Sequence, residues 1–135
     1  MEKKLPIFFV HRGAGNILKY ALNQVKKFNP DSEICLLGDE SNMFVSRFGI
    51  RHIPINENFS YAEIFAEKFV NMSPNPAGYE LFCFQRWFAL AEYLEKRDDI
   101  EDFVYFDTDV MLYCDVTEYA SKYFTQDYDI SVCRE

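Results

Sequence analysis

The sequence predicts an α/β fold in which a largely parallel sheet is flanked by helices. Two short, mainly apolar runs, at 7–10 and 33–37, have the length and composition of inner parallel strands. Each run is followed by a loop and then by apolar residues at helical spacing, an alternation that is typical of α/β proteins. The chain has 135 residues, of which 49% are hydrophobic, so we expect residues 1–135 to form a single packed domain.

The charge and the cysteines argue against several classes of function. The formal net charge of −8 disfavours a nucleic-acid partner or an anionic membrane surface, because both would repel the chain. The four cysteines are widely spaced and contain no Cys-x-x-Cys pair, so a zinc site has little support and buried free thiols in a reducing compartment explain them best. The apolar run at 5–10 is too short for a signal peptide, and we therefore expect a cytoplasmic protein.

The first predicted unit is a strand at 7–10, a loop at 11–16 and a helix that stops at Asn29-Pro30. The helix is indicated by apolar residues that share one face, with Asn16 as the predicted N-cap. An apolar strand followed by a helix is the start of a parallel βαβ arrangement.

The loop of this first unit is a candidate nucleotide-binding segment. Its glycines do not complete the dinucleotide fingerprint G-x-G-x-x-G, because Leu18 occupies the third glycine position. A helix N-terminus beside His11, Arg12 and Gly13 would nevertheless present backbone donors and positive charge to a ligand. A solvated loop without a ligand is the alternative.

The second predicted unit is the strand at 33–37, a loop, and a short helix that ends at Gly49. Asp39 in that loop is placed to bind a ribose hydroxyl, and N-capping of the short helix is the alternative role. A third short strand is predicted at 51–55, where we expect His52 to be structural.

Two further helices are predicted before the last third of the chain. Ser60 and Glu63 form a capping box, S-x-x-E, that opens a helix through Phe69. After a Pro- and Asn-rich loop at 73–78, a strongly apolar helix is predicted at 80–95. Its large side chains available for packing on the sheet are Leu81, Phe84, Trp87, Phe88, Ala91 and Leu94.

Arg86 is a charged residue within that apolar helix. An arginine on a mostly buried helix is usually directed at an acid or a phosphate, and either Asp107 or the diphosphate of a ligand would serve. An arginine at the solvent edge of the helix is the alternative.

Asp107 and Asp109 follow an apolar run at 103–106, which predicts a strand buried on both faces. Such strands present functional groups at their carboxyl ends. Residues i and i+2 of an extended chain point the same way, ~6.6 Å apart, so the two carboxylates could bind one cation such as Mn²⁺ or Mg²⁺. A polar turn is the alternative. A helix at 115–124 and a strand at 129–133 complete the prediction.

These features together resemble the nucleotide-sugar glycosyltransferases of the GT-A fold. The apolar first strand, the second strand ending Leu36-Leu37-Gly38-Asp39, the helix with Arg86 and the sequence Tyr-Phe-Asp-Thr-Asp-Val at 105–110 carry the resemblance. It extends over nearly the whole chain, and the Asp-x-Asp motif in its strand context is the reasonably specific part. The likeness is greatest to bacterial enzymes that build capsular or surface polysaccharides, and to galactosyltransferase-type families.

The resemblance implies a UDP-sugar donor, a glycan acceptor and a Mn²⁺ or Mg²⁺ cofactor. It implies that Asp109 is the more direct metal ligand and that Asp107 contacts the metal or the ribose. It further implies that residues 11–13 lie near the nucleotide, with Asp39 near the base or ribose, and that Arg86 helps to bind the nucleotide-sugar. The location it implies is the cytoplasm, including the inner face of the membrane.

The chain departs from this family in length. GT-A enzymes continue into an acceptor-binding half that supplies a third metal ligand and any catalytic base, so we expect these residues to be a donor-binding part, truncated before that half. A sheet face left open there would favour self-association. The alternatives are a noncatalytic nucleotide-binding or interaction module and, with less support, a haloacid-dehalogenase-type phosphatase, whose Asp-x-Asp normally opens the fold.

Overall fold

In the computed structural model, which describes residues 3–124 and 130–132, four parallel strands form one sheet flanked by helices. The strands are β1 Ile7–His11, β2 Ile34–Gly38, β3 Arg51–Pro54 and β4 Val104–Tyr105, in the spatial order β3-β2-β1-β4. All three pairings are parallel. The predicted α/β class is confirmed, and the arrangement is consistent with a Rossmann-like fold.

The helices connect and cover these strands. They are α1 Asn16–Phe28, a first 3-10 helix Glu40–Phe48, a second 3-10 helix Ile55–Asn58, α2 Ser60–Ala66, α3 Ala77–Leu94 and α4 Val116–Tyr123. Gly49 ends the first 3-10 helix in the left-handed conformation, at φ +75°, as its position in the sequence predicts. Among the described residues, none of the helices is both long and apolar enough to span a membrane.

The core has one layer on each face of the sheet. Successive side chains of a strand point to opposite faces, so Ile7 and Phe9 pack with Leu18 and its neighbours on α1. Phe8 and Val10 instead pack against α3. Burial on both faces explains why β1 and β2 are wholly apolar up to their last residues.

β4 lies at the edge of the sheet in the described part of the chain. It pairs with β1 alone, with Val104 opposite Ile7 and Tyr105 opposite Phe8. The predicted strand at 103–106 is therefore in the right place, but its predicted burial on both faces is wrong. Its residues are only half-buried, and Phe103 is 41% exposed. β4 is the outermost described strand, and no described strand pairs with its outer edge.

The capping box predicted at Ser60 is wrong. Ser60 is the first residue of α2, and Phe59, which makes no side-chain cap bond, precedes it as the N-cap. The backbone N–H of Tyr61, at the start of the helix, instead donates to Glu92 Oε2, 3.1 Å away on α3. A distant carboxylate thus supplies the acceptor that the helix start requires, and the helix ends at Ala66, earlier than predicted.

The predicted packing face of α3 is largely wrong, although Leu94 does pack against the core as predicted. The residues that α3 buries are Gln85, Ala89, Leu90, Glu92 and Tyr93. Phe84 and Trp87, predicted to pack on the sheet, are each 48% exposed. Because α3 is apolar on most sides, hydrophobicity alone does not identify the face that meets the sheet.

The predictions for the other helix ends and for the last strand agree with the structure only in part. Gly15, not Asn16, is the N-cap of α1. The helix predicted at 115–124 is confirmed as α4, whose N-cap Asp115 accepts bonds from the backbone of Thr117 and Glu118. In the strand predicted at 129–133, residues 130–132 are not in a strand, and residues 129 and 133 lie outside the described part.

The described cysteines are free thiols. Cys35 is fully buried in β2, and burial raises the pKa of its thiol to about 12, which keeps it protonated and unreactive. Cys83 and Cys114 are only half-buried, so the prediction of buried thiols holds fully for Cys35 alone among the described cysteines. Cys133 lies outside the described residues.

Candidate functional site

The carboxyl ends of β1, β2 and β4 lie together along one border of the sheet. This border is the sheet edge of the candidate site, and it is distinct from the lateral edge formed by β4. His11 at the end of β1 is in register with Gly38 at the end of β2, and β4 runs parallel on the other side of β1. This edge collects the predicted site residues His11, Arg12, Gly13, Asp39, Asp107 and Asp109, and α3 adds Arg86. The structure thus brings these residues together at one sheet edge, and their roles in binding stay predictions.

Asp39 ties the loop after β2 to the loop after β1. Its Oδ2 accepts a hydrogen bond from Gly13 N at 2.8 Å, and its Oδ1 accepts from the backbone N and the hydroxyl of Ser41. Burial disfavours the charged carboxylate, but the bonds from Ser41 and Gly13 outweigh it and lower the pKa of Asp39. The structure shows the helix-capping role that was the alternative for Asp39, and ribose binding stays a prediction.

Gly13 has a conformational reason to be glycine. Its φ of +95° lies in the left-handed region, where a side chain is strained. This turn brings Gly13 N to Asp39, which fixes the course of the loop that carries Arg12.

Asn42 is a site residue that the sequence does not reveal. It is fully buried, and its Nδ2 donates to the carbonyls of His11 and Gly13, each at 3.0 Å. Its Oδ1 lies 2.8 Å from His52 Nε2, which confirms the structural role predicted for His52. The Asn42 amide therefore holds the loop after β1 through the backbone carbonyls of that loop. Gly38 has no side chain, which leaves room for the Asn42 amide.

His11 links β1 to the Asp-Thr-Asp segment. Its Nδ1 lies 3.0 Å from Thr108 Oγ1. Burial lowers the pKa of the imidazole, and the negative charge of Asp39 only partly offsets this. The ring is therefore neutral at pH 7, and in the tautomer with its proton on Nε2, Nδ1 accepts a hydrogen bond from the Thr108 hydroxyl.

The Asp-Thr-Asp segment is a turn. Val110 N donates to the carbonyl of Asp107 at 3.0 Å, which closes a turn over residues 107–110. The predicted extended geometry is therefore wrong, and the polar-turn alternative describes the backbone. Thr108 is held by His11, whereas the Asp109 side chain faces solvent.

Asp107 is held by two donors on one oxygen. Arg86 Nη1 lies 2.7 Å from Asp107 Oδ1, and the Tyr105 hydroxyl donates to the same oxygen at 2.9 Å. Burial disfavours the charged guanidinium, but Tyr105 and Asp107 outweigh it and raise the pKa of Arg86. The prediction that Arg86 is directed at Asp107 is confirmed.

Tyr105 is a second residue that sequence reasoning missed. Burial raises the pKa of its phenol, so it stays protonated and donates to Asp107. Its ring packs against Trp87, with 4.5 Å between centroids. Position i−2 from the first aspartate of the motif is the available sequence signal, because alternate residues of a strand share a face.

Arg12 is held differently from Arg86. Its guanidinium lies between the rings of Phe59 and Phe82, with Cζ 4.8 Å and 4.6 Å from the two centroids. Phe59 stands just before α2, and Phe82 belongs to α3. The side chain remains exposed at the sheet edge.

The carboxylates fit a cation that binds together with a ligand. Arg86 and Tyr105 occupy Asp107 Oδ1, which leaves Oδ2 free, and Asp109 is exposed. Within residues 3–124 and 130–132, no group of three or more His, Cys, Asp or Glu side chains is placed to hold a metal. Mg²⁺ typically uses one or two carboxylates and completes its shell with phosphate oxygens and water, so Asp107 Oδ2 and the exposed Asp109 carboxylate are chemically suited to such a cation, although the turn does not align them as an extended strand would.

A surface depression of about 300 Å³ lies elsewhere. It is lined by residues of β3, the second 3-10 helix and α3, including Arg51 and Tyr93, and by Lys96 just after α3. None of the predicted site residues lines it. The candidate site is thus an open sheet edge, and its assignment depends on chemistry and topology.

Comparisons of the chain with protein-family models, with curated proteins and with solved structures find no significant match. The described residues place the carboxylates of Asp107 and Asp109, the exposed guanidinium of Arg12 and the paired guanidinium of Arg86 at a single sheet edge. Such a set suits an anionic ligand that brings a divalent cation.

Proposed function

We propose that the chain is the donor-binding domain of a metal-dependent glycosyltransferase of the GT-A type. It binds a UDP-sugar with Mn²⁺ or Mg²⁺, for transfer of the sugar to a glycan acceptor. The observation that carries the proposal is the strand order, because the chain passes from β1 to β2 on one side and later returns to β4 on the other. Ligands of open α/β sheets bind at this kind of switch point, outside the carboxyl ends of the strands.

The motif lies at this switch point. His11 ends β1 and binds Thr108, which follows β4, so the crevice between these strands opens between the loop 11–13 and the turn 107–110. The free oxygen of Asp107 and the exposed carboxylate of Asp109 supply the hard ligands that Mn²⁺ or Mg²⁺ prefers. A divalent cation held there would stabilise negative charge on the departing UDP.

The protein's part in this function is to position groups and to balance charge. Arg86 and Tyr105 fix Asp107 in one orientation, so its second oxygen is presented without rearrangement. Asn42 and Asp39 hold the loop 11–13 at the place where the nucleotide would lie. These contacts make the site rigid before a ligand arrives.

A noncatalytic interaction module is the second candidate. The observation that favours it is the internal ion pair of Asp107 with Arg86, which neutralises the carboxylate without a cation. A domain that kept the fold but lost the ligand would retain this pair for stability. The two proposals differ in whether a uridine nucleotide binds and whether a divalent cation is required.

Isothermal titration with UDP separates the two proposals. We expect UDP to bind with Mn²⁺ present and to lose its affinity in EDTA. Asp109→Ala should abolish the Mn²⁺-dependent binding without unfolding the chain, because loss of an exposed charge seldom destabilises. Asp98→Ala removes the same charge from an exposed loop before β4 and should bind UDP as the unmodified chain does. Absence of UDP binding would favour the interaction module, and equal affinity in Asp109→Ala would refute the metal assignment.

A further inference from the structure

The guanidinium of Arg12 lies against two aromatic rings and makes no ion pair in the described part of the chain. The rings of Phe59 and Phe82 lie on either side of it, 4.8 Å and 4.6 Å from Cζ. Aromatic rings attract the face of a guanidinium and leave its N–H groups free to donate. In the described part of the chain, no carboxylate lies within ion-pair distance of Arg12.

Three other arginines form ion pairs in the described part of the chain. Arg51 and Arg97 both pair with Glu33, and Arg86 pairs with Asp107. Asp39 is an acidic neighbour of Arg12, and the charge of Arg12 helps to lower the pKa of the Asp39 carboxyl. Asp39 bonds Gly13 and Ser41, and no hydrogen bond joins it to Arg12 among the described residues, so the donors of Arg12 are left for another acceptor.

α3 places this second guanidinium close to Arg86. Phe82, which contacts Arg12, and Arg86 are four residues apart on α3, so they lie on one helix face about 6 Å apart along the axis. Arg12 and Arg86 therefore stand at the same sheet edge and flank the end of β1. In a chain of net charge −8, these two guanidiniums place positive charge among the carboxylates of this edge.

We propose that Arg12 binds the phosphate oxygens of the ligand at this edge, held in place for that contact by Phe59 and Phe82. The inference rests on the proposed function and deepens it, because it assigns recognition of the UDP diphosphate to Arg12. A planar guanidinium can bind phosphate through two parallel hydrogen bonds, and stacking between rings reduces the entropy lost on binding. Phe59 and Phe82 are positioning residues in this assignment, since they act through Arg12.

The experiment compares UDP with uridine as probes, both titrated in Mn²⁺. Arg12→Ala should weaken UDP binding roughly ten- to hundredfold, the worth of a charged hydrogen bond, and should leave uridine binding unchanged. Arg12→Lys keeps the charge but loses the planar fork, so its UDP affinity should lie between that of Arg12→Ala and that of the unmodified chain. Phe82→Leu should weaken UDP binding about two- to fivefold through loss of the ring.

Arg47→Ala is the matched control. Arg47 is exposed in the last turn of the first 3-10 helix, which runs from the candidate edge towards the start of β3, and its removal should not change UDP affinity. If Arg12→Ala binds UDP as well as the unmodified chain does, the inference is wrong while the proposed function stands. An equal loss of uridine and UDP affinity would also overturn it.

Inorganic pyrophosphate separates failure of the inference from failure of the proposed function. Pyrophosphate binding that depends on Arg12, in a chain that does not bind UDP, would support the anion site and refute the nucleotide assignment. If neither UDP nor pyrophosphate binds the unmodified chain, both proposals fall. Circular dichroism of each variant provides the check on folding, and Arg12→Lys serves as the second variant if Arg12→Ala is unfolded.

Discussion

Gly38→Ala tests how the site loop is supported. Gly38 is fully buried at the end of β2 and lies directly beside Asn42, which holds the loop 11–13. A Cβ at this position would lie 2.0 Å from Asn42 Oδ1 and 2.9 Å from His52 Nε2. Both distances are below any ordinary contact, so Asn42 must move by more than 1 Å, to judge from normal heavy-atom contacts of about 3.5 Å.

The expected cost follows from the bonds that this movement breaks. Asn42 bonds the carbonyls of His11 and Gly13 and the ring of His52. Each bond contributes about 0.5–1.5 kcal/mol net, and overpacking of a buried site costs about 1–3 kcal/mol. We therefore expect Gly38→Ala to lower the free energy of unfolding by about 2–4 kcal/mol.

Urea unfolding followed by the fluorescence of Trp87, the single tryptophan, measures this loss. With a slope of about 2 kcal/mol per molar urea, in the middle of the usual range, the midpoint should fall by roughly 1–2 M. Gly78→Ala is the control, because a Cβ at the second position of α3 meets no atom within 4 Å and should stabilise by up to about 1 kcal/mol. A Gly38→Ala variant within about 0.5 kcal/mol of the unmodified chain would refute the reasoning.

Three other predictions concern the site and its frame. Asp39→Asn should destabilise by about 1 kcal/mol at pH 7, because an amide has one acceptor oxygen and cannot accept from both Gly13 N and Ser41 N as the carboxylate does. Because folding lowers the pKa of Asp39 below its usual 3.8, that deficit should shrink as the pH falls towards 3, and a pH-independent deficit in urea unfolding would contradict this. Arg86→Lys should weaken UDP affinity about fivefold or reduce stability, since an ammonium does not reproduce the planar guanidinium that bonds both Asp107 and the Cys83 carbonyl. No change in either UDP titration or urea unfolding would contradict a role for Arg86 in the site. Asn29→Ala should cost about 2–3 kcal/mol in urea unfolding, because its buried amide bonds the backbone on both sides of Asp115, and a neutral result would show that water replaces it.

The strands and the site edge were predictable because their signals are local. β1 and β2 are covered on both faces, which requires unbroken apolar runs, and polar residues then cluster where the runs end. Because the strands pair in parallel, all of their carboxyl ends lie at the same edge of the sheet. His11, Asp39 and Asp107 could be grouped on that ground alone.

The errors arose where a distant contact replaces a local signal. Ser60 and Glu63 have the spacing of a capping box, but Glu92 of α3 supplies the acceptor for the start of α2. The burial of β4 depends on which strands pair with it, and its own apolar residues carry no information about that. Asn42 resembles any loop asparagine in the sequence, and only the fold places its amide beneath the loop 11–13.

The central claim is that a metal-bound uridine nucleotide occupies the carboxyl ends of β1 and β4. NMR spectra of the ¹⁵N-labelled chain, recorded as UDP and Mg²⁺ are added, test it most directly. We expect the backbone signals of 11–13, 39 and 107–109 to shift together and saturably, with weaker changes near Arg86. Shifts confined to the depression at β3, around Arg51 and Lys96, or no shifts at millimolar UDP, would contradict the claim.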